Sequence, residues 1–131
     1  MMRALMHTLC WFGLAAAVGL APAAARARAQ APCLASGDVI SGKVAPVTAS
    51  HPNGSTFTAY ILTLSPPRCV TTADQRIEAA ARLQLGGNAG QQATLRRRAD
   101  AVVRVRIRDP FTPETAWHIG DVIVVDYDIV N

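Results

Sequence analysis

The chain has 131 residues, half of them apolar, and its 13 basic and 9 acidic residues give a net charge of +4. Arg3, Arg26 and Arg28 lie near the amino end, so residues 30–131 carry ten basic and nine acidic side chains, a net charge of only +1. Residues 30–131 are about 100 residues long, which is enough for one domain with a modest core and too short for two domains. The small charge argues against a nucleic-acid partner, because such domains usually have a strong basic excess.

Residues 1–29 have the pattern of a secretory signal peptide. Arg3 gives the amino end positive charge, residues 9–24 contain no charge, and small residues follow up to Ala29. The apolar stretch is shorter than the roughly 20 residues that a membrane-spanning helix needs. We therefore predict cleavage after Ala29, one mature domain at residues 30–131 in the periplasm or outside the cell, and no transmembrane segment after cleavage. An uncleaved amino-terminal anchor is the alternative.

Two cysteines, Cys33 and Cys69, belong to the predicted mature chain. An even pair in an exported protein predicts a disulfide, because the destination is oxidising. Two free thiols or half of a metal site are the alternatives, yet the pair and the two histidines His51 and His118 show no zinc-site spacing. We predict a Cys33–Cys69 disulfide, no metal and no cofactor.

The first strand signal covers residues 39–47, which are rich in β-branched side chains and contain Gly42 and Pro46. Glycine inside a strand often marks a bend, and proline is tolerated at a sheet edge. The segment therefore predicts a curved edge strand. The Asn-Gly pair within residues 51–55 predicts a tight turn after it.

The middle of the chain mixes strand and helix signals. Residues 56–64 predict a strand with apolar side chains on both faces, and the two prolines that follow predict its end. The alanine-rich residues 73–81 favour a helix. Residues 82–85 fit either the last turn of that helix or a short strand, and residues 91–98 predict a second short helix.

The last third predicts two strands. In residues 101–108, valine and isoleucine alternate with Arg104, Arg106 and Arg108, so one face is apolar and the other is charged. Residues 121–130 predict the final strand by the same alternation. Its apolar face carries Ile123, Val125, Tyr127 and Ile129, and its acidic face carries Asp126 and Asp128.

The arginine stripe of Arg104, Arg106 and Arg108 has two interpretations. It could bind an anionic ligand, such as a lipid phosphate or an acidic glycan. If the last two strands are antiparallel neighbours, Asp126 and Asp128 face the stripe and neutralise much of it. We favour the second interpretation.

Trp117 and His118 lie just before the final strand, after a loop with two prolines. An exposed tryptophan in such a place can stack on a sugar or a base, whereas a buried one closes the end of a small core. His51, in the Asn-Gly turn, is a weaker candidate for contact with a ligand.

Catalytic motifs are absent from the sequence. It has no Gly-x-Ser-x-Gly and no His-Glu-x-x-His, and no Lys-Ser/Thr pair follows the glycine-rich residues 86–90 as a phosphate loop requires. We predict no catalytic residues and a domain that is not an enzyme.

Residues 60–70, Tyr-Ile-Leu-Thr-Leu-Ser-Pro-Pro-Arg-Cys-Val, resemble a family of exported bacterial proteins known as domain of unknown function 4431. Its members have a strand ending in Ile-Leu-x-Leu, then a proline and Cys-Val. Residues 39–44 and 115–118 match more loosely, so the resemblance spans most of the mature domain. Two features depart from the family: residues 95–98 replace a Leu-x-Gly-Lys turn, and the segment just before the last strand contains one histidine, His118, where the family tends to have more than one.

The resemblance implies a small β-barrel similar to oligonucleotide/oligosaccharide-binding (OB) folds, without an assigned activity. The strand signals agree with it, because a helix after the third of five strands fits that layout. We predict a mainly β, five-stranded OB-like barrel with one or two short helices and one disulfide. An open β-sandwich fragment and an α+β sheet with a helix on one face are the alternatives.

Three functional hypotheses follow. The first is a non-enzymatic periplasmic binding or accessory module that presents Trp117, His118, Tyr60 and the arginine stripe to an envelope glycan, an anionic lipid or another envelope protein. The second is an interaction or inhibitor module that adds residues 39–47 as a strand to a partner's sheet. A hydrolase with an unrecognised site is the third, and the sequence supports it least.

Overall fold

The computed structural model describes residues 31–131, so the predicted signal peptide lies outside the described residues. Within them the chain is mainly β, as predicted, with six strands and one helix. The strands are β1 (Val39–Ser50), β2 (Thr56–Thr71), β3 (Arg76–Leu85), β4 (Val102–Arg108), β5 (Val122–Val124) and β6 (Asp126–Val130), and the helix is α1 (Ala89–Arg97).

The six strands form one curled sheet in the order β5-β3-β2-β1-β4-β6. Neighbouring strands are antiparallel, except that β3 and β5 are parallel. The two edge strands, β5 and β6, follow each other along the chain with only Val125 between them. The sheet therefore curls into a half-barrel, and the sixth strand arises because Val125 interrupts the predicted final strand.

The interruption at Val125 also changes which side chains face the core. The two valines of β5 that flank Ile123 belong to the core, and so do Tyr127 and the partly buried Ile129 of β6. The alternation therefore shifts by one position at the break. The predicted apolar face was right for Tyr127 and Ile129, but wrong for Ile123 and for Val125, which is 48% exposed.

β1 is an internal strand, so the predicted edge position was wrong. It pairs with β4 through residues 39–43 and with β2 through residues 43–50. Gly42 lies where the pairing passes from one neighbour to the other, and a Cβ atom there would collide with the Thr63 carbonyl oxygen and the Leu62 side chain. Residues 39–43 therefore pair with β4 and residues 43–50 with β2, and only Lys43 has a paired neighbour on both sides.

β2 continues past its two prolines, so the predicted strand end was wrong. Thr63 pairs with Arg82 and Arg68 pairs with Ala80, which means that β2 advances by five positions while β3 advances by two. The prolines lie in this bulged stretch, where regular ladder hydrogen bonds are not required.

The predicted helix at residues 73–81 is also wrong, because most of this segment belongs to β3. Leu83 and Leu85 are almost fully buried in the core, and β3 pairs with both β2 and β5. Helix propensity amounts to at most about 1 kcal/mol per residue for ordinary side chains, so these long-range contacts outweigh it. The strand alternative for residues 82–85 is confirmed.

The second predicted helix is confirmed as α1. Asn88 accepts a hydrogen bond from the Gln91 backbone, and the Gln91 side chain accepts one from the Asn88 backbone, a reciprocal cap that starts the helix. Leu95 is fully buried and joins the helix to the core. Across residues 31–131, no helix is long and apolar enough to cross a membrane.

The predicted disulfide is confirmed: Cys33 and Cys69 are bonded, with their Cα atoms 4.6 Å apart. Beside the bond, the Leu34 backbone N–H donates to the Cys69 carbonyl and the Thr71 N–H donates to the Leu34 carbonyl, both at 2.8 Å. The segment before β1 is thereby fixed to the far half of β2.

Candidate functional site

The chain between β4 and β5 folds over the outer face of the sheet, away from the core. We call residues 109–121 the β4–β5 loop. Beneath it, Ile61, Gln84 and Ile123 occupy one cross-strand row and are all buried, although they point away from the core. Phe111 extends this contact, because it and Ile123 exchange two backbone hydrogen bonds of 2.8 and 3.0 Å. The loop and the sheet therefore enclose a second, smaller apolar layer.

Gln84 fixes the path of this loop. Its Nε2 donates to the Trp117 carbonyl at 2.8 Å, and its Oε1 accepts from the backbone N–H groups of Ile119 at 2.6 Å and Gly120 at 3.2 Å. The side chain is 8% exposed, so water competes little for these bonds. One amide from the sheet thus satisfies three backbone groups of the loop and determines where Trp117 lies.

The end of the loop is held just as closely. A Cβ atom on Gly120 would lie 2.8 Å from the Gln84 backbone nitrogen and 2.9 Å from the Val122 carbonyl oxygen, so only glycine fits there. The Asp121 carboxylate then accepts hydrogen bonds of 2.9 Å from the backbone N–H groups of Ala81 and Arg82. These contacts tie the loop to β3 on both sides of Gly120.

Three aromatic rings meet at the exposed side of the loop. The Trp117 ring stacks on the His51 ring with centroids 4.1 Å apart and planes at 26°, and it meets Phe57 edge-on at 4.8 Å and 63°. We call His51, Phe57 and Trp117 the aromatic cluster. Trp117 stays 43% exposed in spite of both contacts. The cluster joins the β1–β2 turn, β2 and the β4–β5 loop in one surface.

The predicted turn at residues 51–55 is confirmed, and it orients His51. The His51 Nδ1 accepts a hydrogen bond from the Asn53 N–H at 3.3 Å, and the Asn53 side chain accepts one from the Ser55 N–H at 3.0 Å. Gly54 has φ +86°, a left-handed conformation that suits glycine. Sequence reasoning ranked His51 low because the contact with Trp117 joins residues 66 positions apart.

His118, a predicted contact residue, supports the loop from within. Its Nδ1 accepts a hydrogen bond from the Glu114 N–H at 3.1 Å, and its ring lies edge-on to Phe111 with centroids 5.4 Å apart. The side chain is half-buried. His118 is therefore placed to stabilise the turn that precedes Trp117.

Tyr60, another predicted contact residue, lies in the core at 5% exposure. Successive side chains of a strand point to opposite faces, so Tyr60 points inward while Phe57 points outward. Phe57 is the residue that sequence reasoning missed, and its position opposite Tyr60 in the alternation of residues 56–64 is the signal that could have found it.

The arginine stripe is neutralised at one end only. Arg108 forms ion pairs with both Asp126 and Asp128, and these hydrogen-bonded carboxylates raise the pKa of its guanidinium above the usual value. Arg106 is in register with Asp128, yet within residues 31–131 neither it nor Arg104 forms an ion pair. Arg104 donates instead to the Asn131 backbone oxygen at 3.3 Å.

No family model matches the chain, and no curated protein or solved structure matches it at a significant level. In the described part of the chain, no three His, Cys, Asp or Glu side chains come together as a metal site would require. The aromatic cluster presents a partly exposed tryptophan ring beside two other rings, an arrangement whose chemistry suits contact with a ligand.

Proposed function

We propose that residues 30–131 form an exported, non-enzymatic binding module of OB-like architecture, and that the aromatic cluster binds a glycan of the cell envelope. If β5 and β6 are counted as one interrupted strand, five strands result, with the last one parallel to β3 and antiparallel to β4. α1 lies between β3 and β4, the position of the helix in an OB barrel.

The observation that carries the proposal is the exposure of Trp117. Trp117 contacts two other rings, and 43% of it still faces solvent. OB-type barrels bind oligosaccharides and oligonucleotides at the loops between strands one and two and between strands four and five. His51 and Trp117 come from the two corresponding loops. The fold analogy gives the location, and the aromatic surface supplies the chemistry.

A glycan fits the aromatic cluster better than a nucleic acid or an anionic lipid does. Pyranose rings present apolar C–H faces that stack on tryptophan, and uncharged sugars need no basic groups. The net charge of +1 for residues 30–131 argues against nucleic acid. The arginine stripe lies on β4, whereas the aromatic cluster comes from the β1–β2 turn, β2 and the β4–β5 loop, so the stripe supplies no charge to the rings of this cluster.

The disulfide supports the exported location. Such bonds form and persist in oxidising compartments and are rare in the cytosol of most organisms. The signal-like pattern of residues 1–29 is the independent reason for the same proposal.

The test is a pull-down on purified peptidoglycan sacculi with protein produced from the full chain. We expect the wild-type protein to sediment with the sacculi, Trp117→Ala to lose at least about tenfold in affinity, and Trp117→Phe to keep most of it, because stacking needs an aromatic face. Val39→Ala is the matched control, since it shortens a side chain of similar exposure, 39%, at the end of β1 opposite the β1–β2 turn.

Two results would overturn the proposal. One is that the wild-type protein stays in the supernatant with sacculi, and also with lipopolysaccharide carbohydrate as a second envelope glycan. The other is that Trp117→Ala and Val39→Ala bind as well as the wild type does.

A further inference from the structure

A group of arginines that pair with no aspartate or glutamate of residues 31–131 lies outside the aromatic cluster. Five of the ten basic residues of 30–131 fall within an 11-residue stretch that contains one acidic residue. All five are exposed, at the end of α1 and on β4. They are Arg96, Arg97, Arg98, Arg104 and Arg106.

The neighbouring carboxylates are already engaged with other side chains. Asp100 lies 3.7 Å from Lys43, and Asp126 and Asp128 both pair with Arg108. Across residues 31–131, none of the five arginines forms an ion pair. The small net charge of the domain therefore hides a local excess of positive charge.

The fold holds this stretch firmly. The Ala101 N–H donates to the Arg98 carbonyl at 3.0 Å, and the Asp100 N–H donates to the Val44 carbonyl at 2.7 Å, so the turn after α1 is fastened to β1. The arginines thus lie at the end of a helix, in a turn that is hydrogen-bonded to β1, and on a paired strand.

Val102 falls between Arg98 and Arg104 in the sequence and is 71% exposed, more than any other large apolar side chain of the described residues. It lies two positions before Arg104 on β4, so both point to the same face of the strand. We call the five arginines and Val102 the basic surface.

We propose that the basic surface docks the domain on a bilayer of anionic phospholipids. Guanidinium groups bind phosphate oxygens in bidentate fashion, and an anionic bilayer attracts clustered arginines near its plane. An exposed valine among them suits the apolar part of a lipid surface, which a polyanion in water does not offer. The proposal goes beyond the glycan site, because it uses other residues and another ligand.

The test uses protein produced from the full chain and sedimentation with vesicles, either pure phosphatidylcholine or with one third phosphatidylglycerol. We expect binding to the anionic vesicles only, with loss at high salt. Arg96→Ser/Arg97→Ser should lower the partition coefficient about 25-fold, roughly fivefold for each arginine. Arg76→Ser/Arg82→Ser changes the net charge equally outside the basic surface and should keep the coefficient within about threefold of the wild type.

Three outcomes would overturn the proposal. They are equal binding to neutral vesicles, equal losses in the two double variants, and binding to heparin without binding to anionic vesicles. The result is separable from the glycan site: Trp117→Ala should keep vesicle binding, and Arg96→Ser/Arg97→Ser should keep sacculus binding.

Discussion

The outer face of the sheet has two halves that differ in whether their polar contacts are buried or exposed. Over β3 and β5 the β4–β5 loop covers the face, and the Gln84 amide bonds to three backbone groups at 8% exposure. Over β4 and β6 the face is open, and the Arg108 side chain pairs with two carboxylates while 41% exposed. The Arg108 ion pairs involve full charges, yet we expect the neutral Gln84 hydrogen bonds to contribute more to the free energy of unfolding.

Burial is the reason for this difference. A buried group that loses its partner cannot turn to water, so each unsatisfied group costs about 1–3 kcal/mol. Exposed ion pairs keep water as an alternative partner and are screened by salt. The covered half should therefore be rigid and hold Trp117 in place, whereas the open half is free to exchange its partners.

The largest effect should come from Gln84→Leu, which leaves the Trp117 carbonyl and two loop N–H groups without their partner. We expect the free energy of unfolding to fall by about 3 kcal/mol, as measured by urea denaturation. Gln75→Leu makes the same chemical change at an exposed position and should be nearly neutral. If both variants lost equal stability, the amide would not be what fastens the loop.

A smaller effect should appear at high pH through Tyr127. Burial raises the pKa of its hydroxyl to about 12, and the hydroxyl donates to the Gly86 carbonyl at 2.9 Å. Folding favours the protonated form, so this contribution is complete below pH 10 and is lost as the pH rises through 12, by about 2 kcal/mol at pH 12.

Tyr127→Phe is the control for this alkaline loss. The Gly86 carbonyl keeps the Gln92 side chain as a donor, so the variant should cost only about 1 kcal/mol at pH 7. Above pH 10 it should lose less stability than the wild type does. If the stability of the two proteins fell equally with rising pH above pH 10, the titration of Tyr127 would not be the cause of the alkaline loss.

Trp117→Ala should separate binding from stability. It removes one stacked and one edge-on contact at a half-exposed site, so we expect a loss of about 1 kcal/mol in the free energy of unfolding. Retention by sacculi should fall much further. A loss of several kcal/mol would instead make Trp117 part of the supporting structure.

The smallest effect should come from Arg108→Ser on the open half. It breaks both ion pairs, but water can solvate Asp126 and Asp128, so the melting temperature should change by no more than about 3 °C. The difference from wild type should shrink further in 0.5 M salt. A loss of stability as large as that of Gln84→Leu would contradict the view that these exposed ion pairs contribute less than the buried amide of Gln84.

Local signals predicted the β-rich fold, the Asn-Gly turn, α1, the disulfide and the arginine face of β4. They failed where distant contacts decide the structure. Alanine favours a helix at residues 73–81, but pairing with β2 makes most of them a strand. Likewise, no local pattern could show that β1 has neighbours on both sides.

The candidate site was only partly predictable for the same reason. Trp117 was visible as an aromatic residue in a loop, but its partner His51 lies on a turn 66 positions earlier. Alternation within β2 placed Tyr60 and Phe57 on opposite faces and did not say which face was the core. That choice depends on the curl of the whole sheet.

The most direct test of the glycan site is a fluorescence titration, because Trp117 is the only tryptophan of residues 30–131. Soluble peptidoglycan glycan strands should shift or quench its emission in a saturable way, and they should shield it from a soluble quencher. Arg104→Ser/Arg106→Ser should titrate as the wild type does. Emission and quenching that stay unchanged up to saturating glycan would contradict the assignment of this surface as a binding site.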